Sequence, residues 1–192
     1  MPGVVCCADK PELRPMPNLT TTDFERQLAA LTLPDHARVW IYTANRVLTD
    51  DECQAIHRAL STFCDSWAAH GQPLQAQPAV LLQQLVVLAV DESAQQATGC
   101  SIDSSVAAVR DLHKVGPTLA DLDVLDRGWV IFKAQADSAE WQRAKLHDFW
   151  AMRKAGTLTD EAQVVDSTVP NLGDLRREGV KPLAHSWHAH MW

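Results

Sequence analysis

The sequence has no run of basic residues longer than the pair Arg176-Arg177, and 17 Lys and Arg face 24 Asp and Glu, a net charge of -7. That balance excludes a nucleic-acid footprint, which needs clustered cations to neutralise phosphates. No apolar stretch approaches the ~18 residues of a membrane-spanning helix, and the opening lacks the charged and apolar regions of a secretory leader. The expected setting is the cytoplasm, with no membrane or nucleic-acid partner. No C-x-x-C spacing occurs among Cys6, Cys7, Cys53, Cys64 and Cys100. An odd count without that spacing fits a reducing compartment and argues against both a disulfide framework and a cysteine zinc site. Cys53 and Cys64 share one face of a predicted helix but stand roughly 16 Å apart along it, too far to bridge. No Gly-x-x-x-x-Gly-Lys-[Ser/Thr] is present, which excludes a P-loop. Internal repeats are absent too, and no metal or cofactor is expected.

What is present is a chain of 192 residues, 46% of them hydrophobic, enough for one domain with a full core. Pro2, Pro11, Pro15 and Pro17 break any periodicity over residues 1–20, which reads as a disordered extension. Residues 21–37 read as a short helix and linker: Asp23 can cap it, Phe24, Leu28 and Leu31 share a face, and Pro34 ends it. Residues 38–192 form the single α+β domain. Val39–Thr43 is β-branched and aromatic, as a strand prefers. Thr49 and Glu52 make a capping box, and Cys53, Ile56, Leu60, Phe63, Cys64 and Trp67 recur at helical spacing toward a C-cap at Gly71, with His70 beside it.

Leu74–Leu82 alternates loosely, and Pro78 confines it to a sheet edge. Leu85–Val90 has no polar residue on either face and predicts a central strand, joined to the previous one by a turn near Gln83-Gln84. A helix capped by Ser101 or Asp103 follows, then a strand over 128–133. That order is strand, helix, strand, strand, helix, strand, the ferredoxin-like βαββαβ core. A further helix over 138–155, ended by Gly156, forms a C-terminal extension.

The apolar strand ends at Asp91 and Glu92, where a sheet presents side chains to a cleft. Paired carboxylates there can bind a cation or work as acid and base; the alternative is that Asp91 caps its own turn. Past Gly99, Cys100 stands with Ser101 and Asp103 at a predicted helix N-terminus, whose open amides lower a thiol pKa and attract anions. Asn45 and Arg46 follow the first strand, and Arg46 is expected near Asp91, either as an ion-pair partner or as an anion-binding fork. His185, His188 and His190 could present imidazoles to a metal but more often mean nothing. The preferred reading is a non-catalytic module that self-associates or binds a protein partner, with a small anionic ligand at Asn45, Arg46, Asp91, Glu92, Gly99, Ser101 and Asp103. The rival is a cysteine-dependent enzyme with Cys100 as nucleophile.

The segments WIYTANRVLTDDE (Trp40–Glu52), SWAAHGQPLQA (Ser66–Ala76), AVDES (Ala89–Ser93), GCSIDSS (Gly99–Ser105) and SWH (Ser186–His188) resemble a family of small bacterial proteins without established function. Many members carry the automatic label "ABC transporter ATPase". The resemblance implies a third reading, nucleotide binding without a P-loop; ATPase activity receives no support from the residues.

Overall fold

A computed structural model describes residues 14–15, 19–138 and 140–191. In chain order the elements are β1 (Arg14–Pro15), α1 (Thr21–Ala29), β2 (Arg38–Thr43), α2 (Asp50–Ser66), β3 (Ala68–Ala69), β4 (Gln72–Pro73), β5 (Gln75–Leu81) and β6 (Leu85–Asp91). They continue as α3 (Gly99–Arg110), β7 (Trp129–Lys133), β8 (Gln142–Lys145), α4 (Leu146–Lys154), β9 (Gln163–Val165), α5 (Leu172–Glu178) and β10 (Val180–Pro182). The chain is mixed α+β, and every paired strand is antiparallel. None of the described helices is long and apolar enough to cross a membrane.

The first sheet has the order β2-β6-β5, with β6, apolar from Leu85 to Val90, at its centre and Pro78 on the edge strand β5, as the pattern predicts. Its two faces bury different partners. Ile56, Leu60 and Cys64 of α2 and Val109 of α3 cover Val86 and Leu88, while Phe24 and Leu28 of α1, with Leu31 just after it, pack with Val87 and Ala89 on the other side. The α2 capping box forms as expected: the Thr49 N–H donates to Glu52 Oε2 at 2.8 Å and the Glu52 N–H to Thr49 Oγ1 at 3.3 Å. In α1 the N-cap is Thr20, and Asp23 completes the box from the third helical position.

The fourth strand departs from the ferredoxin-like expectation. β7 does not join β2; it lies in a second sheet of order β1-β8-β7-β9-β10. Both of its hydrogen-bonding edges are taken, by β8 and β9, so none is left for the first sheet. The outer edge of β2 meets residues 170–171 instead, through a bridge from Arg38 to Asn171 and a Val39 N–H to Pro170 carbonyl bond of 3.1 Å. The second sheet packs one face on α4 and Leu183 and the other, through Ile131 and Val165, into the core it shares with the first.

Three local expectations are also corrected. The helix over 138–155 begins only at Leu146, because Gln142–Lys145 pair with β7 as β8; its C-terminal Gly156 does take the left-handed conformation, at φ 74°. Gly71 does not end α2, which stops at Ser66 so that Trp67 can turn inward and donate its indole N–H to the Ser101 carbonyl at 2.9 Å. Gly71 and His70 form the β3–β4 turn, at φ 78° and 51°. Most of the 1–20 extension lies outside the described residues, but Arg14–Pro15 pair with Arg143 and Gln142, which places those two residues in a sheet.

The β5–β6 turn uses Leu82 and Gln83, each at φ 52°, a conformation that costs an L-residue ~1–2 kcal/mol. Surrounding bonds hold it: Leu82 N–H to Gln27 Oε1 at 2.8 Å and Leu48 N–H to the Gln83 carbonyl at 2.8 Å. The early and late parts of the chain are clamped together as well. Leu172 and Gly173 donate N–H groups to the Ala37 and Asp35 carbonyls, both at 2.8 Å. Arg176 donates to the Leu31 carbonyl at 2.7 Å and pairs with Asp35. Only glycine fits at 173, since a Cβ there would stand 2.8 Å from that of Asp35.

Candidate functional site

Four places could carry chemistry. At the C-terminal end of β6, Asp91 Oδ1 accepts the Ser93 backbone N–H at 2.9 Å and the Ser93 hydroxyl at 2.6 Å. His36 Nε2 lies 3.1 Å from the same oxygen and 2.7 Å from Ser93 Oγ. The Ser93 hydroxyl, then its backbone amide, hold the Asp91 carboxyl below the usual carboxylate range, with His36 adding to the effect. Serine, histidine and aspartate meet here, but not as a catalytic triad. A triad needs the carboxylate on one ring nitrogen and the hydroxyl on the other, whereas both contact Nε2. With the hydroxyl proton directed at Asp91, Nε2–H serves both oxygens, and the set clips the loop before β2 to the end of β6. Glu92 Oε1 accepts the Ala97 N–H at 2.9 Å and lies 4.0 Å from Arg38. Asp91 and Glu92 therefore close their own turn.

α3 is capped by Thr98, whose backbone N–H donates to Ser101 Oγ at 2.7 Å. Neither Ser101 nor Asp103 is the cap, contrary to expectation: Ser101 is the buried third helical residue and Asp103 is exposed within the helix. Gly99 and Cys100 occupy the exposed first turn. Cys100 is the free exposed thiol of the described residues, and among them its sulfur makes no hydrogen bond to a base. Burial, followed by nearby carboxylates, pushes the Cys53 and Cys64 thiols up to about 12.

Asn45 and Arg46 lie at the other end of the sheet. Antiparallel pairing sets Thr43 opposite Leu85 and Arg38 opposite Val90, so residues beyond Thr43 neighbour the start of β6, away from Asp91. The expected Arg46–Asp91 contact is thus replaced. Arg46 grips Glu52 with two bonds of 2.9 Å, reaches Asp121 at 3.0 Å, and donates to the Thr118 carbonyl at 2.6 Å. Asn45 bridges the Asp121 carbonyl and the Asp123 N–H, both at 3.0 Å. The arginine fork is filled by the protein itself.

The fourth place is a groove of about 490 Å³ along the open edge of β5, between α1 and α2. Its floor runs from Ala76 to Val80, Gln27 and Ala30 form one wall, and His57, Ser61 and Asp65 the other. The groove, His36 and Ser93 are all new to the structure. Pro78 was the one sequence signal for the groove, because it marks an edge strand; nothing local relates His36 to Asp91.

The terminal histidines do not converge. His188 is buried and stacked on Trp187, Ser186 Oγ lies 3.2 Å from its Nδ1, and burial lowers its pKa to about 4. Among the described residues no group of three or more His, Cys, Asp or Glu could hold a metal ion. Comparison with protein-family models, curated proteins and solved structures found no match.

Proposed function

We propose that the chain is a non-catalytic interaction module that takes up an extended polypeptide segment along the open edge of β5. The observation that carries this reading is the β5 groove itself: a strand edge unpaired among the described residues, floored by Ala76 to Val80 and walled by two helices. An edge strand offers backbone donors and acceptors to an added strand, the general mode of β-augmentation. The two polar clusters at the ends of β6 support the same reading indirectly, because their side chains are engaged with one another. A cytoplasmic setting, and the resemblance to the small bacterial family, belong to this proposal. The thiol-enzyme reading would require a base within hydrogen-bond reach of Cys100.

The test is amide hydrogen exchange on the full chain, with and without an end-blocked hexapeptide of alternating Val and Thr. Slowed exchange at Ala76 and Val80 is expected. Exchange at those amides that no concentration of peptide alters would refute the reading.

A further inference from the structure

We propose that the β5 groove selects an extended segment bearing a lysine or arginine, with that cation seated beside Asp65; this rests on the binding reading above. The argument begins at Pro78. A proline sits in a ladder only where its nitrogen faces away from the neighbouring strand. Alternation then turns the backbone groups of Ala76, Pro78 and Val80 to the open edge. An added strand therefore meets N–H donors only at Ala76 and Val80, and a gap between them. So thin a ladder leaves side-chain complementarity to decide the partner.

The charge at the groove is one-sided. β5 runs in the same direction as β2, since both are antiparallel to β6, so α2 must return from the end of β2 to the start of β5. Its last turn, with Asp65, accordingly stands at the Ala76 end of the groove. The C-terminus of a helix carries partial negative charge, which basic residues in the last turn normally offset. Arg26 does so in α1, Arg110 in α3, Arg153 and Lys154 in α4, and Arg176 and Arg177 in α5. In α2 no basic residue occupies the last turn, and Asp65 adds a full negative charge there. Asp65 is exposed and makes no ion pair among the described residues. An incoming cation would meet both the carboxylate and the helix carbonyls. A second copy of the chain fits less well, because a two-fold pairing of β5 centred on Pro78 would set two donor-less residues against each other.

The experiment uses the isotope-labelled full chain and five end-blocked hexapeptides of alternating Val and Thr: the neutral one, two with lysine at one end or the other, and two with glutamate at those same ends. Binding is read from the backbone amide shifts of Ala76 and Val80. The lysine peptide is expected to bind about five-fold tighter than the neutral one, the scale of an exposed ion pair together with a helix terminus. The glutamate peptide should bind more weakly, and added salt should erase the difference. Asp65→Lys, at an exposed position, should reverse the order. Equal affinity for lysine and glutamate peptides overturns the charge selection and leaves the binding reading intact. Absence of shifts with every peptide overturns both. Protection of Ala76 and Val80 that rises with protein concentration alone also overturns the inference, by making a second copy the occupant.

Discussion

Replacing Arg46 by methionine removes the cation that Glu52 was built around. Glu52 is 6% exposed, and its carboxylate would keep only the Thr49 N–H as a partner. Removing one member of a buried pair costs ~3–5 kcal/mol. The Asp121 arm contributes little, since that side chain is 71% exposed and exposed pairs are worth ~0–1 kcal/mol. Arg46→Met should therefore cost ~3 kcal/mol in urea unfolding, with the midpoint moving and the slope unchanged. Arg46→Met with Glu52→Met removes both charges and forfeits mainly the capping box, ~1 kcal/mol, so the double variant should be more stable than the single one.

The pH dependence offers a second check. The Glu52 carboxyl is held below its ordinary range chiefly by the Arg46 hydrogen bonds. A depressed carboxylate stabilises the fold above the unfolded value and loses that contribution as pH falls through the folded one. The gap between wild type and Arg46→Met should therefore close on acidification below ~4.3. A double variant no more stable than Arg46→Met, or a gap unchanged in acid, would refute the reasoning.

Other outcomes follow from the same structure. Burial depresses His188 from 6.5 to about 4, so its contribution is present above the unfolded value and lost as pH falls from 6.5 through 4. Thermal melts across that window should show a loss on the order of 3 kcal/mol, largely removed in His188→Gln; a flat profile in wild type would refute the burial argument. Site-resolved alkylation of the folded protein should label Cys100 well ahead of Cys53 and Cys64, and equal rates would contradict their assigned exposures. Gly71→Ala should cost about 1 kcal/mol, because φ is positive there and no neighbour crowds the site; a neutral effect in a denaturant melt would count against that turn geometry.

The readable parts of this sequence were those decided by near neighbours. Thr49 and Glu52 announce a helix start because the capping box is a contact between residues three apart. Leu85–Val90 announces a central strand because an apolar run excludes water from both faces. Pro78 announces an edge by lacking a donor. What remained hidden was decided at long range. Trp129–Lys133 reads as a strand, but nothing in those five residues names β8 and β9 as its partners. Gln142–Lys145 has no strand signature of its own and lay among the helically spaced Trp141, Phe149 and Met152, so only pairing with β7 makes it extended. Asp91 was visible as the end of a strand, and its capacity to bind its own turn was foreseen. Its contact with His36, 55 residues away, was not. Arg46 was visible as a fork, but its partner depended on strand direction.

The clamp of residues 31–39 by residues 170–176 has a consequence for the order of synthesis. The first helix and the loop after it emerge early, yet the carbonyls of Leu31, Asp35 and Ala37 meet their donors only when residues 172–176 have been made. At ribosomal rates of ~5–20 residues per second, that interval is on the order of 10 seconds. Through it the helix face can pack on the first sheet, but the loop that follows the helix lacks these donors. A chain that stops before Leu172 would therefore leave the Leu31, Asp35 and Ala37 carbonyls without these donors, although the helix before them can already pack on Val87 and Ala89.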